Sequence, residues 1–281
     1  MCLAAIAIHA HPQWPLLVLA NRDEFHQRPS APLHVWPNTH PPLLAGKDLQ
    51  SAGSWLCVDA CGNFALLTNV RNSGLIRGES APSRGQLVLD ALRGKIPTPQ
   101  QASIYSGFNL LAGQLLDAHG QAQVRLRYYT NQTASLPFGW SLTHGLHALS
   151  NGALNEPWPK AQRLKHDLDH ILKQVCGAKS GEGGSSPGKT VDAMTLEAMA
   201  FEALGSTTQA KDEELPDTGV PYEWEKMLSA AKIVSPLYGT RTSALVALRS
   251  DGRLYFTEWT YAPSGDVAGT VRLQHQLSHT A

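Results

Sequence analysis

Two short apolar runs at the start of the chain, residues 2–8 and 15–20, separated by His9-Ala10-His11-Pro12-Gln13, constrain the fold more than any other feature. Neither approaches the roughly 20 apolar residues needed to cross a bilayer. They read as two buried strands, residues 2–9 and 15–21, joined by a turn: a β-hairpin. With the turn centred on Pro12, cross-strand residue numbers sum to about 24, so Cys2 stands opposite Arg22. A slip of one residue either way brings Asn21 or Asp23 to that place. A secretory leader would want a basic start and an unbroken apolar core. Here no Lys or Arg precedes Arg22, so the cytoplasm is the expected compartment and no membrane span is expected.

Further along, residues 26–53 carry five prolines and little periodicity, and read as a long surface loop. Trp55–Asp59 and Phe64–Asn69 form a second hairpin around Cys61-Gly62-Asn63. Helices are expected from Ser83 to Leu92, with Gly94 as a stop, and after the Thr98-Pro99 cap. Phe108–Leu116, Val124–Thr130 and Leu146–Ser150 read as strands. Residues 160–176 form the clearest helix, with Leu164, Leu168, Ile171, Leu172 and Val175 on one stripe. The Gly/Ser-rich stretch 177–189 reads as a flexible linker. A helix over 192–204 and a closing hairpin, Thr242–Arg249 with Leu254–Tyr261, complete the order. Hairpins imply antiparallel sheets, and separate helical blocks imply outer layers. The expected fold is therefore α+β: a four-layer αββα sandwich of two antiparallel sheets, one domain over residues 1–281. Helices near 85–106 would cover one face and those at 160–204 the other.

Lys+Arg and Asp+Glu balance at 23 each, which removes the field that draws a protein to nucleic acid. Cys2, Cys57, Cys61 and Cys176 are too few and too scattered for a disulfide scaffold. No second Cys/His pair follows Cys57 and Cys61 at zinc spacing, so no metal is expected. The twelve histidines form no ligand pattern either.

Cys2 carries the sharpest chemistry. Met1 is generally trimmed before a small residue, which leaves a thiol and a free α-amine on one residue. Their reference pKa values, near 8.5 and 7.7–8.0, let the amine accept the thiol proton around neutral pH. One residue then supplies nucleophile and base. Arg22 beside it would favour thiolate, and Asp23 can hold the α-ammonium. Strand neighbours alternate faces, so both reach Cys2 only if the strand bends or ends there. Asn69 and Asn151 each close a strand, where a side-chain amide can meet an oxyanion, or simply form a turn. Arg241 follows Gly239-Thr240 and suits a substrate carboxylate or a structural acid. Glu258, set in Phe256-Thr257-Glu258-Trp259, would need a partner if buried, Arg241 being one choice.

Met1-Cys2 with its apolar strand, Ala20-Asn21-Arg22-Asp23-Glu24-Phe25 and Arg28-Pro29 together resemble the NRDE family, also called the transport and Golgi organisation family. Gly53-Ser54-Trp55-Leu56, Ala65-Leu66-Leu67-Thr68-Asn69, Leu149-Ser150-Asn151-Gly152 and Gly239-Thr240-Arg241-Thr242 extend the likeness from Cys2 to about Tyr261. More distantly the chain is similar to cysteine-type N-terminal-nucleophile (Ntn) hydrolases of linear amides, such as bile-salt hydrolase and penicillin V acylase. That resemblance implies a site of Cys2, Arg22, Asp23, Asn69, Asn151 and Arg241. It departs in one respect: those enzymes space the Arg and Asp apart, whereas Arg22 and Asp23 are adjacent.

Two functions follow. The first is a hydrolase that cleaves a non-peptide C–N amide or related acyl bond through Cys2. The second, implied by the family likeness, is a carrier or trafficking protein for haem or a lipid-like ligand. No resident cofactor is expected; haem enters only as a transported ligand.

Overall fold

Strict alternation along the first hairpin sets the layers. In the computed structural model, which describes residues 2–71, 78, 81–117, 119–132, 138–177 and 192–278, β1 (Cys2–Ile8) pairs antiparallel with β2 (Leu16–Phe25). Ala4, Ile6 and Ile8 face one side of this ribbon with Leu16 and Val18, whereas Leu3, Ala5 and Ala7 face the other with Leu17 and Leu19. Both faces are buried, so the ribbon lies inside the molecule with a layer on each side.

The remaining strands are β3 (Ser30–Val35), β4 (Leu43–Asp48), β5 (Leu56–Asp59), β6 (Asn63–Asn69), β7 (Phe108–Leu116), β8 (Ala122–Thr130), β9 (Gly139–Ser141), β10 (Gly145–Leu149), β11 (Tyr238–Leu248), β12 (Arg253–Tyr261) and β13 (Val267–Gln276). They form two sheets, in the order β10-β1-β2-β11-β12-β13 and β3-β4-β5-β6-β7-β8-β9. A shared core lies between them, where Ile6, Val18, Val246 and Phe256 meet Leu56, Phe64, Leu111 and Tyr128. Full burial of such side chains is worth about 1.5–3 kcal/mol each.

Helices α3 (Pro159–Gly177) and α4 (Ala193–Leu204) cover the outer face of the first sheet, through Leu164, Leu168, Phe201 and Leu204. Helices α1 (Gly85–Leu92) and α2 (Pro99–Ala102) cover the second, through Leu87, Val88 and Ala102. The αββα sandwich expected from the order of hairpins and helical blocks is the fold observed. Thr98 caps α2 with a full capping box to Gln101, as its Thr-Pro start implies.

Several elements differ from expectation. Residues 26–53 are not one long loop, because they hold β3 and β4. Pro32 is tolerated because β3 is the edge of its sheet and the ladder shifts register between Ala31 and His34. Strand β2 does not end at Asn21 but runs on through Arg22-Asp23-Glu24 to Phe25, with β11 supplying the second ladder. Strands β9 and β13 and helix α5 (Tyr222–Leu228) were not expected. The Gly/Ser-rich linker, apart from its first residue, lies outside the described residues. Strands from before and after it lie side by side in the first sheet.

Candidate functional site

The pairing of β1 with β2 sets Cys2 opposite Arg22, in the register that a turn at Pro12 requires. Cross-strand partners share a sheet face. On its other side β2 pairs with β11, where Arg22 meets Thr242 and Asp23 meets Thr240, and the ladder skips Arg241. Arg241 is thus the extra residue of a β-bulge, a device that bends a strand and re-aims its side chains.

A cleft of about 840 Å³ opens here, lined by Arg22, Asp23 and Glu24 of β2, Arg28, Asp48, Trp55, Asn69 and Arg71, and by Trp224 and Leu228 of α5. Arg22 and Asp23 both border it, which a straight strand with alternating faces would not allow. Arg22 is 5% exposed. Its Nη2 donates to Asp48 Oδ2 at 3.2 Å, and its guanidinium lies 4.3 Å from the centre of the Trp55 ring. Arg28 Nε donates to the same Asp48 oxygen at 2.6 Å, and Asp48 Oδ1 accepts from the Gln50 and Ser51 N–H groups. Burial alone would raise the Asp48 pKa, but Arg28 and the Ser51 donors hold it below the usual value.

Asp23 is 1% exposed. Its Oδ1 accepts the Thr240 hydroxyl at 2.7 Å. Burial raises its pKa, opposed by the charges of Lys160 and Arg22 and by the Thr240 bond. Lys160, at the start of α3, is itself buried. Asn21 turns to the helical side, donating to the carbonyls of Leu204 and Ala231 at 3.0 and 2.8 Å and accepting from Ser243 Oγ. It ties β2 to the end of α4.

The two candidate asparagines meet. Asn151 Nδ2 donates to Asn69 Oδ1 at 3.0 Å and to the Asn69 carbonyl at 3.1 Å, while Arg71 N–H donates to the Asn151 carbonyl at 2.7 Å. Asn69 borders the cleft; Asn151 is buried behind it. Arg241 Nη1 donates to the carbonyls of Phe25, His26 and Arg28 at 3.1, 3.0 and 3.2 Å, so it braces the β2–β3 turn. The expected Arg241–Glu258 pair does not form, because the bulge carries Arg241 out of the ladder whereas Glu258 pairs with Ala244. Glu258 instead accepts the Leu33 N–H of β3 at 2.7 Å.

Sequence reasoning missed Asp48, Lys160 and the Arg71–Glu225 ion pair (2.8 Å), which anchors α5 to the end of β6. Only Asp48 left a local signal, since Asp-Leu-Gln-Ser is the pattern of an Asx turn. Cys57 packs in the core between the second sheet and α1, and burial drives its thiol pKa upward. Among the described residues no three His, Cys, Asp or Glu side chains gather as a metal would require. No described helix is long and apolar enough to cross a membrane.

Fold and site together define an αββα protein with a charged cleft at the end of its first hairpin, where a Cys–Arg cross-strand pair meets a β-bulge. It belongs to the family named Transport and Golgi organisation 2, whose signature it matches over residues 1–263. The Homo sapiens Transport and Golgi organization protein 2 homolog is 30% identical, covering 92% of each chain. The Drosophila melanogaster Transport and Golgi organization protein 2 is 24% identical over the same share of both. Among solved structures, a conjugated bile acid hydrolase from Clostridium perfringens covers 97% of this chain and 92% of its own, at 8% identity and a TM-score of 0.47. Penicillin V acylase from Agrobacterium tumefaciens gives 11% identity, 91% and 82% coverage and a TM-score of 0.34.

Proposed function

We propose that this protein is an Ntn-type hydrolase that cleaves a non-peptide amide or related acyl bond with Cys2, freed of Met1, as nucleophile. One observation carries the reading: the ladder sets Cys2 opposite Arg22, and Arg22 and Asp23 both border the cleft. The Cys2 α-amine takes the thiol proton, and the thiolate attacks the acyl carbon. The Asn69 amide, held by Asn151, donates to the oxyanion. Collapse expels the amine, which takes a proton from the α-ammonium, and water then hydrolyses the thioester with the α-amine as base. Arg22 favours thiolate over thiol. Asp23 steadies the α-ammonium. Arg241 acts at one remove, fixing the turn that carries Arg28.

Intact-mass measurement tests the first requirement: loss of Met1 is expected, and a retained Met1 removes the base. Incubation with an acyl-thiol-reactive probe library, followed by peptide mapping, tests the second. Labelling is expected at Cys2 in preference to Cys57, Cys61 and Cys176; uniform labelling overturns the reading.

A carrier of haem or a lipid-like ligand is the second reading, favoured by the apolar wall of Trp55, Leu67, Trp224, Leu228 and Tyr238 in a cleft of about 840 Å³. The described residues lining that cleft include neither histidine nor methionine, so the axial-ligand candidates for a haem iron are the Tyr238 hydroxyl, which lines it, and the Cys2 thiolate of β1. Haem titration of wild type and Cys2→Ala, followed by absorption, decides it. A Soret shift lost in the variant supports the carrier.

A further inference from the structure

Glu258 is a buried carboxylate near the Cys–Arg pair that the proposed chemistry does not use. It is 1% exposed and lies between the two sheets. Its anchor is a 2.7 Å bond from the Leu33 N–H, which joins β12 of the first sheet to β3 of the second, with the Thr242 side chain as a further donor. The ladder gives its position relative to Arg22. Arg22 pairs with Thr242 and Thr242 with Thr260, while Ala20 pairs with Ala244 and Ala244 with Glu258. Glu258 is therefore one step diagonal from the Arg22 row, on the face that carries Arg22.

The needs of Arg22 explain why a carboxylate sits there. Its guanidinium is buried, and among the described residues its one ionic bond is to an Asp48 oxygen that binds Arg28 more closely, at 2.6 against 3.2 Å. Its Nη1 has no hydrogen-bond partner among the described residues. A buried cation that shares its counter-ion gains from a second negative charge nearby, because buried charge left uncompensated is strongly destabilising. Of the described groups that face Glu258, Arg22 of β2 is the charged one. Thr242 and Ala244 of β11, Val271 of β13 and the Leu33 N–H of β3 do not titrate. Asp48 of β4 enters through Arg22.

We propose that Glu258 shares the charge of Arg22 from within the core, and so tunes through Arg22 the reactivity of the cysteine paired with it. The inference rests on the hydrolase reading in that Cys2 is the group tuned. Burial pushes the Glu258 carboxyl up to about 7, with the Leu33 bond and the Arg22 charge opposing. The tuning therefore switches across neutral pH. Ionised Glu258 offsets the charge of Arg22 and opposes the thiolate; with Glu258 neutral, Arg22 is offset by Asp48 alone and favours the thiolate more.

The test uses the full chain in two readouts. Carbon-13 NMR of glutamate carboxyls, with the Glu258 resonance assigned by Glu258→Gln, follows its titration in wild type, Arg22→Lys and Arg22→Gln. The midpoint is expected to stay near the wild-type value in Lys and to rise by about one pH unit in Gln, as loss of a nearby opposite charge requires. In parallel, iodoacetamide alkylation at Cys2 is mapped by mass spectrometry against pH. The wild-type profile is expected to break where Glu258 titrates. Glu258→Gln should lose the break and react about three- to tenfold faster at neutral pH, matching a thiol shift of half to one unit. An unmoved midpoint in Arg22→Gln overturns the proposal. Where that variant does not fold, a wild-type alkylation profile without the break does so. If Cys2 is never alkylated, the nucleophile reading fails, and the NMR arm alone decides whether Glu258 and Arg22 are coupled.

Discussion

Arg22 and Asp48 join the two sheets: Nη2 of Arg22 on β2 donates at 3.2 Å to an oxygen of Asp48 at the end of β4, and Arg28 shares that oxygen. Each sheet brings a charge to the cleft that the other neutralises. Closing the sandwich and assembling the site are one event.

Removing the shared acid should therefore cost stability as well as order. Asp48→Asn leaves Arg22 short of a counter-ion in the interior, a change worth roughly 3–5 kcal/mol, read as a lower midpoint of chemical denaturation. Because the folded carboxyl is held below its ordinary value of 3.8, its contribution is complete above that pH and is lost as acid protonates it. The variant should show a flatter acid limb of stability against pH.

Glu258 predicts the opposite sign. Its folded pKa stands at about 7 against an ordinary 4.5. A raised carboxyl favours the fold below the unfolded value, and that contribution fades as pH rises through the folded one. Between those limits wild type should lose roughly 3 kcal/mol at 1.36 kcal/mol per unit. Glu258→Gln should lose little, so denaturation midpoints at about pH 5 and about pH 8 distinguish them.

Helix α5 forms a wall of the cleft and is fastened by the buried Arg71–Glu225 pair, with Arg71 also lying 4.7 Å from the Trp158 ring. Glu225→Gln should increase amide exchange in residues 222–228 and cost roughly 3–5 kcal/mol. The double change Arg71→Met with Glu225→Leu should recover most of that loss, since no charge is then left unpaired.

Gly53 holds another wall. A Cβ added there would lie 2.5 Å from the backbone carbon of Gly85, at the start of α1. Gly53→Ala must push α1 away from the β4–β5 connection. A cost of about 1–3 kcal/mol, typical of overpacking, is expected in thermal denaturation, with weaker binding of any ligand in the cleft.

The hairpins were legible because their cues are local: alternation, the Pro12 turn and Gly62-Asn63 fix pairs close in sequence. The register of Cys2 and Arg22 followed from turn position alone. What escaped depended on partners far along the chain. Strand β2 continues through Asn21, Arg22 and Asp23 because Leu204, Asp48 and Thr240 satisfy them. Pro32 looked like a loop residue because nothing local says that β3 is an edge. Arg241 seemed a partner for Glu258 until the bulge turned it toward the carbonyls of Phe25, His26 and Arg28. Asn69 and Asn151 were each recognised, but not as a bonded pair, since their contact joins the two sheets.

The central claim is that thiol and base reside together on Cys2. The most direct measurement compares the chain beginning at Cys2 with one carrying a single glycine before it, using p-nitrophenyl acetate as acyl donor. The account predicts a stoichiometric burst of p-nitrophenolate, an acetyl group mapped to Cys2, loss of both in Cys2→Ala, and acylation at least about 100-fold slower in the extended chain, as loss of a positioned base requires. Equal acylation of the extended chain, or acetyl recovered on Cys61 instead, would contradict it.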